Sequence, residues 1–145
     1  MFRKILYPTD FSDVSMKALD YIKKLRECGS VKVVILHVID QRGIQAIKRY
    51  APEHTIKLES EMMEQTEKEL ASIEKQLKKT GFKVEKRIEI GVPMREILRI
   101  EKEEDISLIV IGSHGVSNLE EIFLGSVSEK VIRKCKKPVL VIKRN

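Results

Sequence analysis

The chain has 145 residues, a net charge of +6 and two cysteines that lie far apart in the sequence. This length suits one domain over residues 1–145, whose single core would bury roughly 70% of the surface that the unfolded chain exposes. No run of about 18 apolar residues exists and the N-terminus enters a strand pattern directly, which predicts a soluble, cytoplasmic protein without a signal peptide or a membrane span.

Strand and helix patterns alternate from the N-terminus onward. An apolar strand is predicted at 3–7, and a Pro-Thr-Asp turn ends it. Ser12 is a good N-cap for a helix that continues to about Cys28, because apolar residues recur there every three or four positions. Residues 31–39 are almost continuously apolar and β-branched. This composition is typical of a strand that is buried on both faces of a parallel sheet.

The middle of the chain is less regular. Residues 40–55 lack a clear period and contain a glycine and a proline, so we expect a long loop with at most one helical stretch near 44–50. A long amphipathic helix is predicted at 57–79, with Leu58, Met62, Leu70, Ile73 and Leu77 in its apolar stripe. Alternating apolar residues then predict a more exposed strand at 83–90, with Val84, Ile88 and Ile90 on one face.

The last third of the chain continues the alternation. Its predicted elements are a helix from Pro93, a strand at 106–111, a helix from Leu119 or Gly125 to Cys135, and a strand at 138–143. Five strands that alternate with four helices favour an α/β fold, because right-handed crossovers place helices on both faces of a sheet. We expect a single-domain, doubly wound, five-stranded parallel sheet of the Rossmann-like kind, with the strand order 3-2-1-4-5.

Two segments of this predicted sheet carry the features of a phosphate site. Ligands bind outside the carboxyl ends of the strands, where the strand order reverses. If strands one and four are neighbours, the turn at 8–10 faces the segment Gly112-Ser113-His114-Gly115 across that crevice. The pattern of Gly, two residues, Gly, nine residues and Gly-Ser is neither GxGxxG nor a P-loop. It still suits phosphate, because glycines let N–H groups approach an anion and Gly125-Ser126 lies near a helix N-terminus.

The basic residues of the chain are poorly placed to neutralise that phosphate. Residues 130–145 carry seven Lys and Arg side chains and no acid, whereas residues 1–129 are close to neutral. Lys134 lies about 12 Å from Ser126 along a helix, beyond one Debye length in physiological salt. We therefore expect backbone dipoles and Mg²⁺ or Mn²⁺ to meet the phosphate charge. The metal would be held mainly by phosphate oxygens and water, with Asp10 as the nearest carboxylate.

The histidines and cysteines receive separate interpretations. His37 lies within a buried strand and is expected to be a hydrogen-bonded core histidine. His114 lies within the glycine segment and is a candidate for contacting phosphate or acting as an acid, although no nucleophile or paired base is apparent beside it. Cys28 and Cys135 are interpreted as reduced packing residues, because free cysteine is usually a small buried hydrophobe.

The glycine pattern, residues 3–11 (RKILYPTDF), residues 36–38 (LHV) and residues 138–141 (PVLV) together resemble the universal stress protein family, specifically its ATP-binding branch. The resemblance covers the full chain apart from residues 40–55. It implies that the adenine and ribose side of a nucleotide is lined by Pro8, Thr9, Asp10 and Val38, and that ribose and phosphates are held by Gly112, Gly115, Gly125, Ser126 and Val127. It also implies a homodimer that pairs through the strand Val139–Ile142.

Three functions follow as hypotheses. The leading one is a cytosolic ATP-binding protein that acts as a nucleotide-dependent molecular switch in the stress response, with a protein partner that the sequence does not identify. The second is a slow or partner-stimulated ATPase, for which the sequence offers neither an Arg or Lys clamp nor a water-positioning residue. The third is a basic interaction module that does not use nucleotide. It would bind nucleic acid in a salt-sensitive way, and the absence of Trp speaks against it.

Overall fold

The protein, described by a computed structural model over residues 1–114 and 125–144, is built on one parallel sheet. The strands of the described residues are β1 Lys4–Pro8, β2 Lys32–Asp40, β3 Lys83–Gly91, β4 Leu108–Gly112 and β5 Val139–Ile142. Their order is β3-β2-β1-β4-β5, and every neighbouring pair is parallel. The predicted fold class and strand order are confirmed.

Helices connect the strands and cover both faces of the sheet. They are α1 Asp13–Leu25, α2 Gln41–Tyr50, α3 Thr55–Thr80, α4 Pro93–Glu103 and α5 Ser126–Lys134, with short 3-10 turns at Arg26–Cys28 and Pro52–His54. The strands alternate their side chains between two apolar clusters. On one face Ile5 and Tyr7 pack with α1 and α3, and on the other Leu6 packs with α4 and α5.

The segment 40–55 is more ordered than the predicted long loop. The helical stretch expected near 44–50 is present and begins earlier, as α2, and a 3-10 turn follows it. The side chain of Asp40 caps α2 by accepting a hydrogen bond from the N–H of Arg42 at 3.0 Å. Ile44 is the one buried residue of this helix. A helix with a single buried position shows no 3.6-residue apolar period, which explains why most of the segment was predicted to be a loop.

Some predicted side-chain positions also differ from the observed ones. Met62 and Ile90 were placed on apolar faces, but they are 37% and 57% exposed. Cys28 is exposed rather than packed, whereas Cys135 is half-buried against the α4–α5 cluster. The three exposed residues, Met62, Ile90 and Cys28, lie on α3, at the end of β3 and beyond α1, where the neighbouring elements do not cover them. Periodicity gives the direction of a side chain but not the extent of the element that covers it.

The two edges of the sheet are β3 and β5. The expectation that 83–90 forms the more exposed strand is confirmed, since Gly91 is the one buried residue of β3. Helix α5 begins at Ser126, so the second of the two predicted starts is confirmed, and Leu119 lies outside the described residues. Among the helices that the structure describes, none combines the length and apolarity needed to cross a membrane.

Candidate functional site

A cavity of about 260 Å³ opens at the carboxyl ends of β1, β2 and β4. The first residues of α4 and α5 complete its wall. It is lined by Pro8, Thr9, Asp10, Ser15, Leu36, Val38, Asp40, Arg42, Pro93, Ile97, Ile111, Gly112, His114, Gly125, Ser126, Val127 and Ser128. This is the position where doubly wound sheets hold ligands, because the strand order reverses between β1 and β4.

The cavity brings together the residues that the sequence singled out. Its lining includes Pro8, Thr9, Asp10, Val38, Gly112, His114, Gly125, Ser126 and Val127. Gly115, the remaining member of the predicted set, lies outside the described residues. The basic C-terminal residues do not appear in the lining. Residues that are separated by more than one hundred positions in the sequence thus line the same cavity.

The N-terminus of α5 forms one end of the cavity. Gly125 occupies the N-cap position in an extended conformation, with φ −62° and ψ 153°, and this residue has no side chain with which to cap the helix. The first intrahelical bond runs from the N–H of Glu129 to the carbonyl of Gly125. The N–H groups of Ser126, Val127 and Ser128 therefore have no intrahelical partner, and the helix dipole adds partial positive charge there. This end is suited to an anion.

The turn after β1 is held by buried hydroxyl groups. The Ser15 hydroxyl donates to Thr9 Oγ1 at 2.6 Å, and Thr9 Oγ1 also accepts from the N–H of Phe11 at 3.0 Å. Burial raises the pKa of Tyr7, whose neutral hydroxyl donates to the Ser15 carbonyl. These contacts fix the backbone that carries Thr9 and Asp10 into the cavity.

An aromatic pair supports the same turn from the β2 side. Phe11 adopts a left-handed conformation with φ 63°, and its ring stacks on His37 with 4.6 Å between the centroids. His37 Nδ1 is also 2.8 Å from the carbonyl oxygen of Thr9. The prediction that His37 is a hydrogen-bonded histidine is therefore confirmed, although it is half-buried rather than fully buried.

Gly112 has a packing role that the sequence did not reveal. A Cβ at this position would lie 2.9 Å from Val14 Cγ1 and 3.2 Å from the backbone nitrogen of Ser15. Its φ lies outside the left-handed region, so it is not needed for an unusual backbone angle. The missing side chain instead lets the end of β4 contact the start of α1. The carbonyl of Gly112 also accepts a hydrogen bond from the Ser128 hydroxyl at 2.7 Å.

His114 is buried at the cavity wall beside this junction. It is 6% exposed, its Nδ1 is 2.8 Å from the Ser113 hydroxyl, and its Nε2 has no hydrogen-bond partner among residues 1–114 and 125–144. Ser113 is itself 1% exposed, so this pair orients the imidazole and does not present a serine to solvent. A buried ring nitrogen without a partner is uncommon in folded proteins and is typical of a group that contacts a ligand.

The end of β2 contributes a charged pair that sequence reasoning missed. Asp40 accepts hydrogen bonds from Arg42 Nε at 3.0 Å and from Arg42 Nη2 at 2.6 Å. The guanidinium holds the pKa of the Asp40 carboxyl below its ordinary value. Both residues line the cavity. The available signal was Asp-x-Arg directly after a buried strand, and the loop assigned to 40–55 concealed it.

Comparison with known proteins identifies the family. The family model described as "Universal stress protein family" matches residues 1–143. This chain belongs to the universal stress protein family. Universal stress protein MJ0577 of Methanocaldococcus jannaschii is 40% identical over 99% of this chain and 96% of its own length. Universal stress protein YxiE of Bacillus subtilis is 37% identical over 99% of this chain and all of its own length.

Solved structures share the fold. The structure of MJ0577 superimposes with a TM-score of 0.91 at 43% identity and covers all of this chain and 98% of that one. A universal stress protein described in complex with cAMP gives a TM-score of 0.67 at 23% identity, over 99% of this chain and 98% of that one. Another universal stress protein, from Archaeoglobus fulgidus and described in complex with dAMP, gives a TM-score of 0.65 at 24% identity. The match covers 99% of this chain and 98% of that one. At these lower identities the likeness shows the fold alone.

The packing role of Gly112 can be tested with two alanine substitutions. Gly112→Ala places a methyl group against Val14 and the α1 backbone, and we expect it to lower the free energy of unfolding by about 1–3 kcal/mol. Gly43→Ala is the matched control, because a Cβ there meets nothing within 4 Å. In a helix, this change should raise stability by about 0.5–1 kcal/mol. Urea unfolding followed by circular dichroism measures both, and equal stability of the two variants would contradict this role.

Proposed function

We propose that this universal stress protein binds ATP in the cavity and belongs to the ATP-binding branch of the family. The observation that carries the proposal is the union of an uncapped helix N-terminus with an apolar recess in one cavity. A nucleotide needs both, because its phosphates are anionic and its base is a largely apolar ring. We further propose that the bound nucleotide acts as a molecular switch in the stress response and that the protein works in the cytoplasm.

The phosphates would lie at the α5 end of the cavity. The backbone N–H groups of Ser126, Val127 and Ser128 supply donors there. His114 adds a buried ring nitrogen that has no hydrogen-bond partner in the part of the chain that the structure describes. This combination supports an anionic ligand more strongly than a helix N-terminus alone would.

The base would lie at the β2 end. The apolar lining comes from Pro8, Leu36, Val38, Pro93 and Ile97. Two solved proteins with the same fold are described in complex with adenine nucleotides, cAMP and dAMP. Their identity to this chain is low, so they support the nucleotide class only through the shared fold. The proposed preference for ATP rests on the three backbone N–H groups and His114 at the α5 end of the cavity.

A divalent cation fits this site as part of the nucleotide. The described residues contain no cluster of three or more His, Cys, Asp or Glu side chains that could hold a metal by themselves. Of the two carboxylates in the lining, Asp40 is engaged by Arg42, and Asp10 lies on the β1 turn. We propose that phosphate oxygens and water hold Mg²⁺ or Mn²⁺, with Asp10 as the nearest carboxylate. The cation would offset the repulsion between polyphosphate and these acids.

A switch also needs contacts that change with the ligand. The Gly112 carbonyl joins β4 to α5 through Ser128, and the Gly112 Cα packs against α1. A nucleotide at the α5 N-terminus would contact the elements on both sides of this junction. We propose that occupancy is transmitted to the protein surface through α1 and α5, where a partner protein would bind.

Charge at the start of α5 tests the proposed function. Ser126→Asp should weaken binding of Mg²⁺-ATP about 10-fold or more, because a carboxylate would repel the phosphates. The same substitution should maintain or raise stability, since acids favour a helix N-terminus. Ser126→Asn is the neutral control of the same size and should bind ATP much more tightly than the Asp variant. Titration calorimetry with Mg²⁺ or Mn²⁺ measures the affinities.

Two outcomes of that titration would contradict the proposal. Wild-type protein that binds no ATP with either metal would remove ATP as the ligand. Equal affinities of the Asp and Asn variants would show that phosphate does not lie at the α5 N-terminus.

We also propose a homodimer that pairs through β5. This strand is an edge of the sheet, and Val139, Leu140 and Val141 are only half-buried in the single chain. The Ile142 carbonyl points inward and accepts from Ser113, so by alternation the backbone groups of Val139 and Val141 face the open edge. An unpaired apolar edge favours pairing with a second copy.

Light scattering tests this dimer at micromolar concentration. We expect the mass of two chains for the wild-type protein. Val141→Pro should give a monomer that keeps its circular dichroism spectrum, because proline removes a donor that faces the edge. A monomeric wild-type protein would contradict the proposal.

A further inference from the structure

We propose that Arg42, held in place by Asp40, closes the base end of the cavity by stacking its guanidinium plane on the adenine ring. The inference deepens the proposed function and rests on it. Arg42 would determine which part of the ligand is recognised at the base end of the cavity. That part is an aromatic base and not a further phosphate.

The position of Arg42 follows from the strand order. Helix α5 is tied to the end of β4, because the N–H of Gly125 donates to the Ser113 carbonyl at 2.6 Å and the Ser128 hydroxyl donates to the Gly112 carbonyl. Arg42 follows β2, which is separated from β4 by β1. At about 4.8 Å between neighbouring strands, the two ends of the cavity lie roughly 10 Å apart. A ligand whose phosphates occupy the α5 end would present its other end to Arg42.

The surface around Arg42 is suited to a ring. Leu36, Val38 and Asp40 alternate along β2 and all line the cavity. Val38 packs against the cluster between the sheet and α4, and Ile97 of α4 belongs to that cluster. The base end therefore has an apolar floor with a planar cation at its mouth. A heteroaromatic base contacts both kinds of surface favourably, whereas a phosphate would be desolvated against the apolar floor.

The geometry of the ion pair leaves the faces of the guanidinium available. Its hydrogen bonds to Asp40 run from Nε and Nη2, and such bonds lie in the guanidinium plane. The Arg42 side chain is 74% exposed, so most of its surface is left uncovered by the described residues. The two carboxylate oxygens of Asp40 also fix the orientation of the guanidinium plane. This lowers the conformational entropy that Arg42 loses when a ring stacks on it.

The same pairing makes Arg42 a weak phosphate clamp. The carboxylate of Asp40 lies within hydrogen-bonding distance of the guanidinium and offsets its charge. A phosphate approaching Arg42 would meet the Asp40 carboxylate as well. Stacking depends on the face of the cation and on its contact area, and the in-plane carboxylate leaves that face in place.

Binding of two ligands separates a base contact from a phosphate contact. The ligands are ATP and ribose 5′-triphosphate, each with Mg²⁺, measured by calorimetry. Arg42→Ala should weaken the binding of ATP about 10-fold, which is within the range expected for loss of a cation–π contact. It should change the affinity for ribose 5′-triphosphate less than 2-fold, since that ligand has no base to lose. Arg42→Lys should resemble Arg42→Ala, because an ammonium has no plane.

The matched control is Arg49→Ala, which removes one exposed cation from the same helix but does not line the cavity. It should leave both affinities unchanged, and urea unfolding should show that each variant is folded. The proposal is overturned if Arg42→Ala weakens the binding of both ligands equally, or the binding of neither. It is also overturned if Arg42→Lys keeps the wild-type affinity for ATP. Wild-type protein that binds no ATP would overturn the proposed function, and this inference with it.

Discussion

The junction at Gly112 is the contact on which the rest of the site depends. The glycine ends β4 and has no side chain, so the backbone of α1 approaches it more closely than a Cβ would allow. Its carbonyl oxygen accepts a hydrogen bond from the Ser128 hydroxyl, and this bond fixes the first turn of α5. On the α1 side, Ser15 donates to Thr9 and fixes the turn after β1. One close backbone contact thus holds three walls of the cavity in register.

The electrostatics of the cavity follow from this arrangement. The proposed anion site consists of backbone dipoles at α5, while the charged side chains among the described lining residues lie on the β1 and β2 sides, in Asp10, Asp40 and Arg42. Asp40 and Arg42 compensate each other, and the excess of basic side chains lies at the C-terminus, outside the lining. A polyphosphate would therefore depend on backbone donors and on its own metal ion. Such a site is better suited to hold a nucleotide than to stabilise charge during phosphoryl transfer.

The sequence predicted the fold well because its signals were redundant. Continuous β-branched runs and alternating helices determine a doubly wound sheet, and Gly125-Ser126 indicated the start of α5. Helix α2 was predicted only as a stretch near 44–50, because it buries a single residue, Ile44, and its start is specified by the Asp40 cap. Its first turn, which carries Arg42, was therefore assigned to a loop. Gly112 was interpreted as letting N–H groups approach an anion, and its packing role was not predicted because it depends on a tertiary contact with α1 that no local pattern reveals.

The central claim is that the cavity holds an adenine nucleotide, and the most direct measurement examines the protein as it is purified. Freshly purified protein is denatured, and the released small molecules are separated by chromatography. We predict release of ATP at close to one molecule per chain. Release of no nucleotide, or of a compound without adenine, would contradict the account.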